Sequence, residues 1–290
     1  MILLVDISGL VYRTAHKVKL KAGQQNTGMI FGVMRSLSAL ALQLEPTQMV
    51  LCFDAGRQAR SALYPQYKAN RQRDPDFKQA VDDQLELLVK IVTCLPIMEV
   101  ACAGVEADDV IAHLADHLKG QPVGIVTSDK DLHQLATKTT RIFEYDGSQV
   151  ELTMKPAQIV AWKVLVGDSS DNIKGVLGLG AKTADRLLAE HGSLKNIVKH
   201  ARQTGCKLGR MHLDEALPII KRNLDLIRLD GRLLTPAQKE QITRDYEAEL
   251  NCGLVVDEAG LKWVFEKLQF NSLIKKFNTF LAPFRALEKR

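Results

Sequence analysis

The sequence predicts an α/β protein whose central sheet is mostly parallel and carries helices on both faces. Three short apolar runs precede aspartates: Ile2–Val5 before Asp6, Met49–Phe53 before Asp54, and Val123–Val126 shortly before Asp129. Continuous aliphatic and β-branched runs of this length are typical of strands buried on both faces of a parallel sheet. Because open α/β sheets bind ligands at the carboxyl ends of their strands, we expect the three aspartates to share one edge.

Helical patterns alternate with these strands over the first 150 residues. The predicted elements are a helix over Gly28–Leu44 that ends before Pro46, a helix over Phe77–Cys94, a strand at Ile97–Val100, an acidic amphipathic helix after Gly104, and a hairpin about Asp146-Gly147. From about Lys155 the pattern becomes helical, and a last amphipathic helix lies around Glu258–Leu268. This order predicts an α/β half followed by a helical half.

Further acidic residues fall where the same edge is expected. Three of them open the acidic helix, one follows Asp129 by two residues, and two lie in a loop before a glycine-rich turn. Acids in a first helical turn also complement the helix dipole, so each of those alone could be structural. Together with the strand-end aspartates they form a set of nine carboxylates: Asp6, Asp54, Glu106, Asp108, Asp109, Asp129, Asp131, Asp168 and Asp171.

A cluster of this size predicts bound cations. Like charges about 4 Å apart repel by roughly 4 kcal/mol at an effective dielectric near 20, so the set can ionise together only around positive charge. Oxygen ligands without Cys or nearby His favour Mg²⁺ or Mn²⁺ over zinc. With this many acids we expect two ions, the arrangement that clamps the attacking and leaving oxygens in phosphoryl displacement. Phosphodiester hydrolysis is therefore the predicted chemistry.

Composition is consistent with a nucleic-acid enzyme. The net charge of the 290 residues is +5, and residues 1–73 hold ten Lys and Arg against three Asp and Glu. A cation-rich surface beside an acidic pocket suits a polyanionic substrate, although a solvated basic face would give the same count. No apolar run approaches a membrane span, and the five cysteines form no CxxC pair, so we expect a cytoplasmic protein with reduced thiols and no membrane association.

Two segments are candidates for phosphate contact. The basic segment, residues 57–73, contains Arg57, Arg60, Lys68, Arg71 and Arg73 with Tyr64 and Tyr67 between them. Lys68 and Arg71 are three residues apart, so a helix would aim both at one phosphate. The Tyr67 ring could stack on a nucleobase or pack into the core. The glycine-rich turn at Gly178 and Gly180, followed by Lys182, could bind backbone phosphate or be a plain inter-helix turn.

These motifs, taken in order, resemble the 5′-nuclease superfamily, which includes bacterial and bacteriophage flap endonucleases and the 5′-nuclease domain of bacterial DNA polymerase I. Six ordered blocks carry the resemblance: Leu4-Val5-Asp6, Phe53-Asp54, Tyr67-Lys68-Ala69-Asn70-Arg71, Glu106-Ala107-Asp108-Asp109, Ser128-Asp129-Lys130-Asp131-Leu132, and Gly167-Asp168-Ser169-Ser170-Asp171-Asn172 followed by Gly178-Leu179-Gly180-Ala181-Lys182-Thr183-Ala184.

The resemblance implies a role for each block. Asp6, Asp54, Glu106, Asp108 and Asp109 would surround a first metal, and Asp129, Asp131, Asp168 and Asp171 a second. Lys68 and Arg71 would contact the scissile phosphate and act with Asp108 and Asp129 in catalysis, with Tyr67 stacked on a base. Arg57 and Arg60 would bind DNA from the same basic segment, and Arg13 and Lys163 from the active-site region.

The resemblance also implies a division of the chain. Residues 1–160 would form the nuclease, with a helical arch at about 57–95 through or under which single-stranded 5′ DNA passes. Residues 161–290 would form a helical region that binds duplex DNA through a helix-three-turn-helix motif at about 172–192. Gly178, Gly180 and Lys182 would contact the duplex there, and the carbonyls of Val176 and Leu179 would bind K⁺.

We therefore expect a monomeric, metal-dependent, structure-specific 5′-nuclease that cleaves 5′-flap and other branched DNA and also has 5′–3′ exonuclease activity. Three alternatives stay open: a 5′–3′ exonuclease on duplex ends, a single-strand ribonuclease of the PIN type, and a non-catalytic protein that binds branched DNA. PIN domains are usually shorter and lack a basic helical half. A pure DNA binder gains nothing from carboxylates beside phosphate, which disfavours the last alternative.

Overall fold

The computed structural model describes residues 1–71 and 74–288, so Arg73 of the basic segment lies outside the described residues. The strands are β1 (Ile2–Asp6), β2 (Lys21–Ala22), β3 (Gln25–Asn26), β4 (Gln48–Cys52), β5 (Met98–Val100), β6 (Val123–Val126), β7 (Thr140–Phe143), β8 (Gly167–Asp168) and β9 (Ile173–Lys174). A 3₁₀ helix spans Lys130–Leu135.

The α-helices follow in chain order. They are α1 (Ile7–Lys17), α2 (Gly28–Leu44), α3 (Gln58–Leu63), α4 (Pro75–Val92), α5 (Ala107–His117), α6 (Pro156–Val166), α7 (Ala181–His191), α8 (Leu194–Thr204), α9 (Leu213–Ile227), α10 (Pro236–Asn251), α11 (Glu258–Lys267), α12 (Asn271–Lys275) and α13 (Phe277–Leu287). The predicted helix over residues 28–44 has the predicted bounds. None of the helices in the described part of the chain combines the length and the apolar character that a membrane crossing needs.

Five strands form one parallel sheet in the order β5-β4-β1-β6-β7. The central strand β1 pairs Leu4 with Val50 of β4 and with Ile125 of β6. Both faces of the sheet are covered, because Leu3 and Val5 belong to one apolar cluster and Ile2 and Leu4 to another. This two-sided burial explains why the strands read as continuous apolar runs, and the predicted fold class is confirmed.

A third apolar cluster, called the helical apolar cluster, forms the core of the helical part. It is formed mainly by α6 to α9, where Val164, Leu165, Ala184 and Leu188 are buried. In the chain between α6 and α7, β8 pairs with β9 in an antiparallel ladder. Gly167 opens this turn with φ of +87°, and a Cβ there would lie 2.4 Å from the Gly175 nitrogen, so only glycine fits.

The helical half does not stay together as a separate region. The predicted boundary at 160/161 falls inside α6, and the chain after α9 returns to the sheet. Tyr246 of α10 joins the cluster on one face of the sheet, and Phe265 of α11 and Phe284 of α13 join the cluster on the other. Helices α10 to α13 therefore bury their apolar faces on the α/β body, which the helical periodicity of the sequence did not reveal.

Candidate active site

The carboxyl edge of the sheet opens into a cavity of about 1400 Å³. Asp6 ends β1, Asp54 follows β4 by two residues, Asp129 follows β6 by three, and Asp108 lies in the first turn of α5. All four line the cavity, as do Asp168, Lys68, Arg71 and Lys163. The structure thus brings together the three strand ends that the sequence assigned to one edge.

Asp6 is the buried centre of this group. Its carboxylate accepts hydrogen bonds from the Gly9 backbone N–H (3.2 Å) and from the Thr127 hydroxyl (3.0 Å), and it caps α1. Burial raises the pKa of Asp6 to about 6, the charges of Asp54 and Asp129 add to the rise, and the two hydrogen bonds oppose it. The site therefore stores unfavourable negative charge at neutral pH.

Asp54, Asp108 and Asp129 likewise have no ion pair with a described residue. Asp54 accepts a hydrogen bond from the Ala107 backbone N–H at 2.8 Å, which ties the end of β4 to the start of α5. Burial raises the pKa of Asp108 well above its usual value, and the charges of Asp129 and Asp6 raise it further. Asp6, Asp54, Asp108 and Asp129 are called the unpaired carboxylates below.

Arg60 is a buried counter-ion and not a surface contact. Its side chain is 4% exposed and donates to Glu106 Oε2 (2.8 Å), to both carboxylate oxygens of Asp109, and to the Leu226 carbonyl (2.9 Å). Burial disfavours its charge, but Asp109 and Glu106 outweigh burial and raise the pKa of Arg60. The prediction that Arg60 binds DNA is wrong, because α3 turns this residue inward against α9.

Tyr67 is likewise part of the interior. It is 4% exposed, belongs to the helical apolar cluster, and donates its hydroxyl to Glu106 Oε2 at 3.2 Å. The Lys68 ammonium lies 4.8 Å from the centre of its ring. Of the two roles open for Tyr67, the structure supports packing in the core, and the ring is not available to stack on a nucleobase.

Lys68 and Arg71 meet on one carboxylate, but no helix presents them. Residues 65–70 form turns, and Lys68 has φ of +54°. Arg71 Nη2 donates to Asp171 Oδ1 at 2.6 Å, and Lys68 Nζ lies 3.8 Å from Asp171 Oδ2 and 2.5 Å from Glu106 Oε1. The prediction that a helix presents the two side chains is wrong. The two side chains nevertheless lie close together, at the carboxylate of Asp171.

Further hydrogen bonds fasten this turn segment to the loop after β8. The Lys68 backbone N–H donates to the Asp171 carbonyl (2.9 Å), Asn70 Nδ2 donates to the Ser169 carbonyl (2.9 Å), and Asn172 Nδ2 donates to the Gln66 carbonyl (2.7 Å). The base of the predicted arch is thereby held beside the cavity. Its second half, α4, packs Val81, Leu88 and Ile91 into the apolar cluster that contains α2.

Lys163 neutralises the remaining acids. It projects from α6, contacts Asp131 and donates to Asp168 Oδ2 at 2.7 Å. Burial would raise the pKa of Asp168, but hydrogen bonds from Lys163 and Ser170 prevail and lower it to about 2. Burial raises the pKa of Asp131 to about 6 despite Lys163, with added repulsion from Asp129 and Asp168. Glu106, Asp109, Asp131, Asp168 and Asp171, each held by Lys or Arg, are called the paired carboxylates below.

The geometry can be compared with known proteins. Residues 1–163 match the protein family described as "5′-3′ exonuclease, N-terminal resolvase-like domain", and residues 154–248 match "5′-3′ exonuclease, C-terminal SAM fold". The chain belongs to the 5′-3′ exonuclease family. This confirms the resemblance that the sequence blocks indicated, and the first match covers the whole sheet and its acidic edge.

Curated relatives of this exonuclease-family chain include thermostable DNA polymerase I proteins. The protein from Thermus filiformis is 33% identical over 288 residues, covering 95% of this chain and 33% of the relative. The protein from Thermus aquaticus is 31% identical over 301 residues, covering 99% of this chain and 34% of the relative. The chain thus spans about a third of the length of the curated relatives that it matches.

Solved structures show the same fold. The bacteriophage T5 D15 flap endonuclease in a complex with DNA and metal ions has a TM-score of 0.70 at 21% identity, covering 86% of this chain and 98% of the other. The catalytic core of Rad2 with a DNA substrate has a TM-score of 0.55 at 18% identity, covering 98% and 91%. At these identities the likeness concerns the fold of the exonuclease family.

The nine carboxylates do not form ready ligand sets in this member of the exonuclease family. Within residues 1–71 and 74–288, no three or more His, Cys, Asp and Glu side chains are arranged so that they could hold a metal ion as they stand. Asp109 in particular has both oxygens engaged by Arg60 and does not line the cavity. The predicted grouping of Glu106 and Asp109 with the first metal therefore does not describe this conformation.

The other predicted contact residues lie at the rim or behind it. The Arg13 guanidinium lies 5.7 Å from the ring of Tyr145, whose hydroxyl donates to the Asp6 carbonyl at 2.7 Å. Arg57 is exposed on a small cleft apart from the main cavity. Val176 and Gly178 line the cavity, Leu179 is buried, and Gly180 and Lys182 are exposed at the start of α7.

Sequence reasoning missed two residues that shape the site. Thr127 is fully buried, donates to Asp6, and accepts a hydrogen bond from the Asp129 backbone N–H at 2.9 Å, so it sets the distance between two cavity acids. Its place at the end of β6, directly before Ser128 and Asp129, was the available signal. Arg210 packs its side chain over Gly178, which no pattern in the sequence indicated.

Proposed function

We propose that this protein is a divalent-metal-dependent, structure-specific 5′-nuclease that hydrolyses phosphodiesters of branched DNA, as a flap endonuclease with 5′–3′ exonuclease activity. One observation carries the proposal: four carboxylates without a basic partner among the described residues line one cavity at the carboxyl edge of the sheet. Membership in the 5′-3′ exonuclease family and the likeness to a flap endonuclease solved with DNA and metal ions support it.

The donor set fits divalent cations. The unpaired carboxylates offer oxygen only, and burial together with mutual repulsion raises the pKa values of Asp6 and Asp108, although Lys68 partly opposes the rise at Asp108. Asp6, Asp54 and Asp108 would hold a first Mg²⁺ or Mn²⁺. Asp129, Asp131, Asp168 and Asp171 would hold a second once Lys163 and Arg71 release the carboxylates that they contact. When bound, such ions supply Lewis acidity toward water and phosphoryl oxygen. A T5 5′-exonuclease has been solved with zinc bound, which supports divalent-metal use.

Residues of the chain itself would bind and orient the phosphate. Arg71 is partly exposed, lines the cavity, and is paired only through Asp171 among the ion pairs described, so a phosphate can replace that carboxylate as a bidentate partner. Lys68 lies deeper between Glu106 and Asp171 and would add a second positive charge to the same phosphate. With charge stabilisation of this kind, no nucleophilic side chain is required.

The turn before α7 would bind the duplex. Gly178 is exposed beside the Arg210 side chain, and Gly180 leaves the backbone accessible because nothing lies within 4 Å of its Cβ position. Lys182 is exposed in the first turn of α7, and the free amides of a helix start favour phosphate. The carbonyls of Val176 and Leu179 would bind K⁺ within this turn. The proposed enzyme acts as a monomer in the cytoplasm, in keeping with cysteines that are all unpaired among the described residues.

The test is a map of product lengths. The protein is incubated with 5′-labelled flap, nicked and blunt duplex DNA in Mg²⁺, in EDTA, and as Asp129→Asn in Mg²⁺. We expect cleavage near the single-strand/duplex junction of the flap in Mg²⁺ alone. Short products from blunt ends without flap cleavage would favour an exonuclease on duplex ends. Tight binding without any cleavage in Mg²⁺ would replace the nuclease with a branched-DNA binding protein.

A further inference from the structure

The cavity has a second wall that phosphate chemistry does not explain. This wall is apolar, whereas the first wall carries the acids and lysines. It is built from side chains of the helical part, among them Trp162, Leu177, Met211 and Ile219. Leu177 lies in the turn before α7 and is 64% exposed. An apolar wall adds nothing to the binding of phosphate or cations, so its presence in this cavity calls for a different part of the substrate.

Trp162 is the largest side chain of this wall, and the fold fixes its orientation. It is the neighbour of Lys163 on α6, so the two side chains lie about 100° apart around the helix and border adjacent parts of the cavity. The indole Nε1 donates to Asp185 Oδ1 of α7 at 2.8 Å, and the ring packs partly against the helical apolar cluster. Its polar edge is thus satisfied by the protein, and the rest of the exposed ring is apolar.

We infer that Trp162 binds a nucleobase of the substrate DNA by stacking, next to the phosphate that Lys68 and Arg71 engage. This inference rests on the proposed nuclease function and names the residue that grips the base. Aromatic rings are the usual sequence-tolerant partner of single-stranded bases, because every base has a π face. Tyr67, the aromatic residue that the sequence offered for this role, is buried, whereas Trp162 lines the cavity.

The chain offers a direct spectroscopic test, because it contains two tryptophans. Trp263 lies on α11, is 60% exposed, and does not line the cavity. In Trp263→Phe, Trp162 is the sole tryptophan, and its emission is followed while 5′-flap DNA is added in EDTA. The anisotropy of fluorescently labelled DNA reports binding independently. We expect Trp162 emission to be quenched with the same midpoint as the anisotropy change.

The matched variant is Trp162→Phe, which retains Trp263 as the reporter. Its emission should stay unchanged while the anisotropy still rises. Abasic nucleotides placed one at a time on either side of the cleaved bond should relieve the quenching of Trp162 at one position. Anisotropy that rises without any change in Trp162 emission overturns the stacking role and leaves the nuclease proposal intact. DNA that binds no variant at all overturns both.

Kinetics separate stacking from a structural role. With flap DNA and Mg²⁺, Trp162→Ala should raise KM about tenfold, since stacking on an aromatic ring accounts for roughly five- to 150-fold in affinity, and should change kcat less than about threefold. Trp162→Phe keeps a ring and should stay within about threefold of the unchanged protein in both constants. A Trp162→Ala protein that melts at the same temperature with an unchanged KM would contradict the inference.

Discussion

The unpaired and the paired carboxylates lie within one site but solve the problem of crowded negative charge in opposite ways. Glu106, Asp109, Asp131, Asp168 and Asp171 each contact a Lys or Arg; the pKa of Asp168 falls to about 2 as a result, whereas burial raises the pKa of Asp131 to about 6 despite Lys163. The unpaired group contacts no described cation, and the pKa of Asp6 rises to about 6. The fold therefore places Lys and Arg side chains against some of these acids and not against the others.

The difference indicates a division of labour. An acid with a buried Arg contributes to a stable arrangement, since removal of either partner leaves a desolvated charge. An acid without a partner costs stability unless a ligand supplies the charge, which is the expected property of a functional site. The paired group is further divided, because Arg60 is buried whereas Arg71 is 37% exposed at its side chain and can change partners.

The largest expected effect comes from the buried counter-ion. Arg60→Ala leaves Glu106 and Asp109 buried without a guanidinium, so the free energy of unfolding should fall by about 3–5 kcal/mol. Urea unfolding followed by circular dichroism measures it. The matched control is Arg57→Ala, an exposed arginine one turn earlier, which should change stability by less than about 0.5 kcal/mol. Equal stability of the two variants would show that Arg60 is not a structural counter-ion, and its predicted role in DNA binding would then stand.

The next effect separates two neighbouring acids on α5. Asp108→Asn removes an unpaired carboxylate, so the flap-cleavage rate should fall about hundredfold or more while the melting temperature holds or rises. Asp109→Asn removes a partner of Arg60, so it should lower stability by about 1–3 kcal/mol while the folded protein still cleaves. Cleavage rates and thermal melts of both proteins decide the matter. If Asp109→Asn loses activity at unchanged stability, the division between the groups is wrong.

The sequence predicted the edge of the sheet better than it predicted the partners of its acids. Strand ends follow from local apolar runs, and Asp6, Asp54 and Asp129 were placed by that rule alone. The contact between Arg60 and Asp109 spans 49 residues and depends on how α3 packs against α9, which no local pattern encodes. The basic segment shows in the sequence that Lys and Arg side chains are present, but it does not show which of these side chains are buried.

The same limit explains why the packing of the last helices was not predicted. The periodicity of α10 and α11 correctly indicates amphipathic helices, but an apolar stripe does not state which surface it covers. Phe265 and Phe284 cover the sheet body, so the last helices belong with the first residues of the chain and not with α6 to α9. Only the order of elements, and not their packing, could be obtained from the pattern.

A third experiment measures, as a function of pH, how much the unpaired carboxylates lower the free energy of unfolding. The pKa of Asp6 is about 6 in the folded protein against 3.8 ordinarily, so between these values the folded state binds more protons and stability falls as pH rises. In EDTA, the free energy of unfolding should drop by about 1–3 kcal/mol from pH 4 to 6.5. Asp131, whose pKa is also raised to about 6, lowers stability over the same pH range. Asp168, whose pKa is lowered to about 2, changes the stability only below about pH 4.

Asp6→Asn should remove much of that fall, because the amide carries no charge; its oxygen can still accept from the Gly9 backbone N–H, and its NH2 group would face the Thr127 hydroxyl oxygen. Glu240→Gln, an exposed acid on α10, is the control and should leave the pH profile unchanged. Mg²⁺ should restore stability to the parent protein more than to Asp6→Asn. Stability that rises between pH 4 and 6.5 in the parent would mean that the cavity acids are compensated after all.

The smallest effect concerns a cation outside the acidic site. Lys182 is exposed at the start of α7 and forms no ion pair with any residue of the described chain, so it is free to meet backbone phosphate without first leaving a carboxylate. Lys182→Ala should weaken duplex binding about threefold to tenfold at low salt and reduce the slope of log affinity against log salt by about one. Titrations at several salt concentrations in EDTA measure both. Lys138→Ala, an exposed lysine that does not line the cavity, should leave the slope unchanged.

The comparison with Lys163 tests whether pairing with acids keeps a cation from DNA. Because Lys163 must release Asp131 and Asp168 before it can bind phosphate, Lys163→Ala should alter the slope less than Lys182→Ala. The reverse order would show that a cation paired with acids still binds DNA.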